Sequence, residues 1–416
     1  MKILLVNYRY FISGGPEKYM FNIKKILENN GHEVIPFSIH SNKNVETKYS
    51  KYFVEPIGGR DTTYFEEVKK TPKSVLQLLT RSIYSFEVEK AIKKEIQAVK
   101  PDIVYIIHFV NKLSPSVIVG AKKMGLPVVL RLSDYFLLCP RFDFLYNKKI
   151  CEDCLNGGYM SCIKKRCVKG SLFASVIRVF SMKFHNLIHV YHGVDAFITP
   201  SEFLKKKLVT NGFEEKKIFC IPTFTISKSK IDKPQVGTYG LYFGRLTEEK
   251  GVETVIKAYE KLPSYQVKIM GDDTTEEAKH LKNYVKNHHM KNVEFLGFKS
   301  GIELESVIKQ ARFTLIPSIW YDNLPNTALE SFQYSKPVIA SNIGSLPELV
   351  IDGENGYLFE PENENALVEA IKKFDDDETV LKMGAASRNR LETLFSPQMH
   401  YLTLMKVFNT VRNDNK

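Results

Sequence analysis

The chain has 416 residues, 44% hydrophobic and 25% charged, a soluble globular composition too long for one ordinary core, so at least two domains are expected. It has no run of about eighteen apolar residues, which argues against a transmembrane helix. Net charge is +12, but residues 1–230 carry 37 Lys/Arg against 20 Asp/Glu and residues 231–416 carry 22 against 27, so the basic surplus belongs to the first half. Such a half suits an anionic membrane or a phosphate-bearing substrate, and equally a plain solvated surface.

KILLVN at 2–7 reads as a buried first strand. It is too short for a signal peptide, and Tyr8, Arg9 and Tyr10 end it without a cleavage site, so a cytoplasmic protein is expected. A loop containing Gly14 and Gly15 feeds a helix that Gly31 stops, and residues 32–38 return as a strand, completing a βαβ unit. Residues 40–80 carry no clear pattern, and 81–98 read as one basic amphipathic helix. Strands follow at 102–108, ending on His108, and at 127–133, with a helix over 114–124 between them. The alternation repeats through a strand at 195–200, a helix from Ser201 and a strand at 217–222. Residues 223–237 are polar and irregular, and the charge balance changes sign there, so they read as an interdomain linker. The rhythm then restarts with strands at 239–243, 266–270, 293–296, 313–317 and 338–341. The expected fold is α/β: two Rossmann-like domains facing each other across a cleft, residues 1–225 and 226–396.

Two stretches carry chemistry. GRLTEEKG at 244–251 follows a strand and opens a helix; its glycines allow close approach, while Arg245 can fork onto a phosphate and Lys250 adds a point charge. The same residues also suit ordinary surface charge. DNLPNTALE at 322–330 brackets a helix start near Pro325 and Asn326, where backbone donors favour anionic or hydroxyl-rich ligands. Glu348, in the loop after the next strand, reads as a loop-structuring residue. The pair Asp272–Asp273 reads as a loop rather than a metal site.

GGPE near the N-terminus, GRLTEEKG at 244–251 and DNLPNTALESFQYSKPVIASNIGSLPELV at 322–350 together resemble the GT-B retaining glycosyltransferases of family four, over nearly the whole chain. The resemblance implies that Arg245 and Lys250 bind the donor pyrophosphate and that Glu330 holds the ribose. It also implies that Asp322, with backbone groups of Asn323, Leu324 and Pro325, contacts the transferred sugar. Gly15 and Gly244 would let loops reach the phosphates, and His108 would lie on the acceptor side. The final helix, about 397–416, would pack back on the first domain. Two positions depart from the family pattern: Asp322 stands where it usually has Glu, and Ser133 where it often has His.

The implied reaction is retaining, metal-independent transfer of a hexose from a UDP- or GDP-sugar to a polysaccharide or lipid-linked oligosaccharide. The alternatives are a nucleotide-sugar epimerase or hydrolase of the same fold, and a non-catalytic anionic-surface binder. Nucleic acid is not an expected partner, because no basic helix with interleaved aromatics or recognition motif occurs. Five of six cysteines fall within 139–167, and Cys151, Cys154, Cys162 and Cys167 have a spacing that would let them surround a structural zinc. Residues 169–185 mix apolar and sparse basic residues, which suits docking on the inner membrane face or packing beneath the cysteine loop.

Overall fold

A computed structural model describes residues 1–59, 71–155, 158–226 and 235–414. The N-terminal half runs β1 (Lys2–Asn7), α1 (Gly15–Asn29), β2 (Glu33–Phe37), α2 (Pro72–Ile83), α3 (Phe86–Val99), β3 (Ile103–His108), α4 (Ser116–Lys123) and β4 (Val128–Arg131). A hairpin, β5 (Leu145–Tyr146) and β6 (Lys149–Ile150), then α5 (Met160–Lys164) and α6 (Leu172–Leu187), precede β7 (Ala196–Thr199), α7 (Glu202–Thr210) and β8 (Ile218–Cys220). The C-terminal half runs β9 (Tyr239–Phe243), α8 (Val252–Glu260), β10 (Gln266–Met270), α9 (Glu276–Asn287), β11 (Val293–Gly297), α10 (Gly301–Lys309) and β12 (Ala311–Ile316). It closes with α11 (Asn326–Gln333), β13 (Val338–Ser341), α12 (Leu346–Leu349), β14 (Gly356–Phe359), α13 (Glu364–Lys372), α14 (Asp377–Leu394) and α15 (Pro397–Asp414).

Each half builds one six-stranded parallel sheet. Their orders are β2-β1-β3-β4-β7-β8 and β11-β10-β9-β12-β13-β14. Leu4 and Val6 of β1 join one core with Val104 and Ile106, while Ile3 and Leu5 join the opposite core, so both faces of the strand are buried. Strand order reverses between β1 and β3 in the first sheet and between β9 and β12 in the second. Open α/β sheets place ligands at such points, beyond the carboxyl ends of the strands.

The last helix lies on the N-terminal domain. Leu404, Val407, Phe408 and Val411 enter the core that holds Ile3 and Leu5. A buried polar chain fixes it there: His400 Nε2 bonds Tyr19 Oη at 2.8 Å, Tyr19 meets Tyr105 at 2.7 Å, and His400 Nδ1 bonds the Pro222 carbonyl at 2.7 Å.

Two local readings change. The single helix expected over 81–98 is two helices, because Tyr84 is extended and Ser85 caps a new helix by accepting from Val88 N at 3.3 Å. Of the expected linker, 227–234 lie outside the described residues; at its described edge Thr225 N bonds the Phe395 carbonyl at 3.2 Å.

Candidate active site

The loops leaving β9 and β12 meet at the second switch point. Gly251 has φ +66°, and a Cβ there would sit 2.0 Å from the Pro317 carbonyl oxygen, so only glycine lets the two backbones pack. That contact sets Lys250 beside Asp322, with Nζ 2.6 Å from Oδ2. Ser318 Oγ donates to the same oxygen at 2.8 Å. The two side chains are only 16% and 9% exposed, and the ammonium lies 5.3 Å from the Trp320 ring centroid. Arg245, on the same loop, is 65% exposed and meets Glu249 at 3.3 Å.

The turn after Asp322 is held in an unusual conformation. Leu324 has φ +86°, and Ser345 Oγ secures it by accepting from Leu324 N at 2.9 Å and donating to the Asp322 carbonyl at 2.7 Å. Pro325, rather than Asn326, takes the cap position of α11 and supplies no side-chain acceptor, so the first N–H groups of the helix have no cap. Asn323 Nδ2 is buried without a partner.

The N-terminal domain faces this turn. A Cβ on Gly15 would lie 3.6 Å from Asn326 Nδ2, and Lys18 of α1 pairs with Glu330 of α11 at 3.2 Å. The loop before α1 is braced by Arg9 Nη1 donating to Ser13 at 2.8 Å and Ser13 donating to the buried Glu17 at 3.0 Å. At the first switch point Tyr8 N bonds the His108 carbonyl at 3.0 Å, and the two rings meet edge-on at 5.0 Å. His108 Nε2 lies 3.8 Å from Asp134 Oδ2, while its Nδ1 is buried without a partner. Burial raises the Asp134 carboxyl above its usual range, and the neighbouring His108 pulls it back. The Tyr135 hydroxyl is likewise buried and unpartnered; its pKa is raised well above normal, by burial first and then by the charge of Asp322.

Residues 224–390 match the family model described as glycosyl transferases group 1. The match lies in the C-terminal half of the chain and leaves the N-terminal half unmatched. An uncharacterized glycosyltransferase of Methanocaldococcus jannaschii is 32% identical over 51% of this chain and 59% of its own. The chain spans about half the length of the curated relatives it matches. Among solved structures, the lipopolysaccharide outer core galactosyltransferase WaaB in its apo form matches at TM-score 0.66 and 16% identity, over 99% of both chains. HepE of Anabaena, solved in complex with UDP-glucose, matches at TM-score 0.64 and 16% identity over 99% of this chain and all of the other. The fold is therefore GT-B.

Within this glycosyltransferase fold, Lys250, Asp322, Asn323, Leu324 and Pro325 lie on one side of the cleft, and Gly15 reaches them from the other. Arg245 and Gly244 share the Lys250 loop. His108 sits at the opposing switch point, and Glu330 is engaged across the cleft by Lys18. Sequence reasoning passed over Lys18, Asp134, Tyr135 and Trp320. Asp134 and Tyr135 directly follow the expected strand at 127–133, in the stretch SDYFLLCP at 133–140, which also resembles the family's N-terminal half.

Glu348 does more than structure its own loop. Its carboxylate crosses to the N-terminal domain and accepts from Glu202 N at 2.8 Å and Phe203 N at 2.6 Å, capping α7. Tyr321 adds to the same contact, packing on Phe203 at 4.7 Å and Phe144 at 6.0 Å.

The zinc set expected at Cys151, Cys154, Cys162 and Cys167 is not assembled. All six cysteines are free, and among the described residues no group of three or more His, Cys, Asp or Glu side chains stands where it could hold a metal. Lys165 Nζ instead approaches Cys151 Sγ at 3.4 Å and pairs with Asp153 at 2.7 Å. Burial pushes the Cys154 and Cys162 thiols up to about 12, so they are protonated.

Proposed function

We propose that this protein is a retaining glycosyltransferase that moves a hexose from a UDP- or GDP-sugar to a glycan acceptor, a polysaccharide or lipid-linked oligosaccharide. The observation that carries the reading is the shielded Lys250–Asp322 pair at the β9/β12 switch point, opposite the glycine loop of the other domain. Breaking a glycosyl–phosphate bond places negative charge on the departing diphosphate. Fixed cations there stabilise the transition state more than the ground state, so Lys250 and Arg245 supply the electrostatic assistance, and the reaction needs no divalent ion. Asp322 Oδ1 and Asn323 Nδ2 offer an acceptor and a donor to sugar hydroxyls, and Glu330 exchanges Lys18 for the ribose.

His108, with Asp134 behind it, bounds the acceptor side of the sugar. No carboxylate is assigned beneath the anomeric carbon, so the working route is front-side: the leaving phosphate oxygen takes the acceptor's proton as the new glycosidic bond forms. Two neighbours in fold agree with the donor and acceptor classes: HepE is solved with UDP-glucose, and WaaB is described as a lipopolysaccharide outer core galactosyltransferase. A screen of UDP-, GDP- and ADP-sugars by thermal shift and nucleotide release tests the reading. Stabilisation by one donor, with release accelerated by a glycan acceptor, is expected; no response to any donor sinks it, and release indifferent to acceptor points to hydrolysis.

A further inference from the structure

Helix α6 buries several polar side chains and turns large apolar ones outward. Its buried side carries Ser175, Arg178, Ser181 and His185 together with the apolar Val179 and Met182. Arg178 Nη2 donates to the Phe136 carbonyl at 3.0 Å, Ser181 Oγ to the Ser82 carbonyl at 2.6 Å, and His185 Nε2 bonds the Ile83 carbonyl at 2.7 Å. These bonds fix the roll of the helix, because turning it would strand a buried guanidinium. The outward side carries Phe173, Val176, Phe180 and Leu187, exposed by 66%, 42%, 56% and 76%. A surface helix of a soluble domain keeps such large apolar side chains on its inner face. The expectation that this stretch packs beneath the cysteine loop is therefore met by its buried residues and not by these outward ones.

Neighbouring elements extend the patch. Helix α2, which receives the Ser181 and His185 bonds near its end, exposes Val75 and Leu76, and Phe86 opens α3 almost fully exposed. Glu87, beside Phe86, is paired with Arg81 at 2.8 Å, and the charge around α6 itself has one sign. From Cys154 to Val194 the chain has six Lys/Arg and no Asp or Glu. Lys164, Arg166, Lys169 and Lys183 are exposed, and Lys183 lies one helical turn beyond Phe180.

We propose that this face docks on an anionic lipid bilayer. The four outward apolar side chains of α6 enter the boundary between headgroups and acyl chains, while the flanking Lys and Arg meet lipid phosphates. A second copy of the chain fits worse, since a two-fold contact would set the same cations against one another with no acid in the stretch to pair them. No helix among the described residues is long and apolar enough to cross a membrane, so the contact lies on the surface. The inference deepens the transfer reading by placing a lipid-linked acceptor beside the cleft, but its test needs no catalysis.

The test is flotation of the full chain with phosphatidylcholine vesicles, with and without phosphatidylglycerol, at low and high salt. Binding that requires phosphatidylglycerol and weakens with salt is expected. F173D combined with F180D should cut the bound fraction roughly tenfold or more. The same variant should keep its thermal melt and its donor-induced shift, since both rings are exposed. A wild-type chain that stays with the protein-only fraction, or a variant that floats as well as wild type, overturns the proposal. So does self-association by light scattering that the variant abolishes while neither protein binds vesicles.

Discussion

Removing Lys250 separates its structural from its catalytic role, because its partner is known. In Lys250→Met, Asp322 is left as a nearly buried carboxylate. Breaking such a pair by deleting one partner costs about 3–5 kcal/mol. Ser318 still donates to Asp322 Oδ2 and the lysine was 16% exposed, so the cost falls to the bottom of that range or just below it, about 2–3 kcal/mol. In a domain of this size that lowers Tm by roughly 5–10 °C. Turnover should fall by about 10²–10³, the effect of losing one preorganised group at the developing charge. Asp322→Asn alone should cost similar stability, since it strands an ammonium. The double variant Lys250→Met/Asp322→Asn removes both charges, so its unfolding free energy from urea titration should return to within about 1 kcal/mol of wild type. Its turnover, measured by nucleotide release at saturating donor, should stay at or below the level of Lys250→Met, because Asp322 is itself assigned to the sugar. If turnover recovers along with stability, Lys250 is a structural counter-ion and the assignment to diphosphate is wrong.

Other expectations follow from single contacts. Glu330→Gln breaks only a half-exposed pair with Lys18, so stability should change by less than about 1 kcal/mol. The donor KM should nevertheless rise several-fold, and an unchanged KM removes Glu330 from the ribose site. Gly251→Ala places a Cβ 2.0 Å from a backbone oxygen at φ +66° and should lose donor-induced thermal stabilisation together with at least about 2 kcal/mol of stability. His400 and His185 are buried, which lowers their pKa from 6.5 to about 3 and about 4. Both are neutral in the fold, so their contribution is complete above pH 6.5 and is lost as pH falls towards 4 and 3. His400→Gln should flatten that acid limb in melts recorded along a pH series. Glu95 works in the opposite sense: it is buried with neither carboxyl oxygen bonded, and desolvation raises its pKa from 4.5 to about 9. Stability is therefore complete below pH 4.5 and is lost as pH rises towards 9. Glu95→Gln should be the more stable protein at pH 8, and a destabilised variant there would mean that the carboxylate has a partner.

The chain by itself determined most of the architecture and the heart of the donor side. Runs such as KILLVN and VIAS are apolar on both faces because parallel strands are covered on both sides, so their burial is written locally. The loops at 244–251 and 322–330 were also legible, since glycine, proline and charge sit at fixed offsets around strand ends. Tertiary structure alone decided the contacts that join distant segments. Lys18 meets Glu330 across 312 residues, and Glu348 caps a helix about 145 residues earlier; neither leaves a periodic trace, because each partner looks like ordinary surface charge in its own segment. The cysteine spacing allowed a zinc that the loop does not assemble, since spacing specifies which ligands are near in sequence and not where their sulfurs point. The helix at 172–187 shows the same limit. Its apolar stripe was visible in the chain, but which side faced solvent depended on carbonyls at Ser82, Ile83 and Phe136 that only the fold brings within reach.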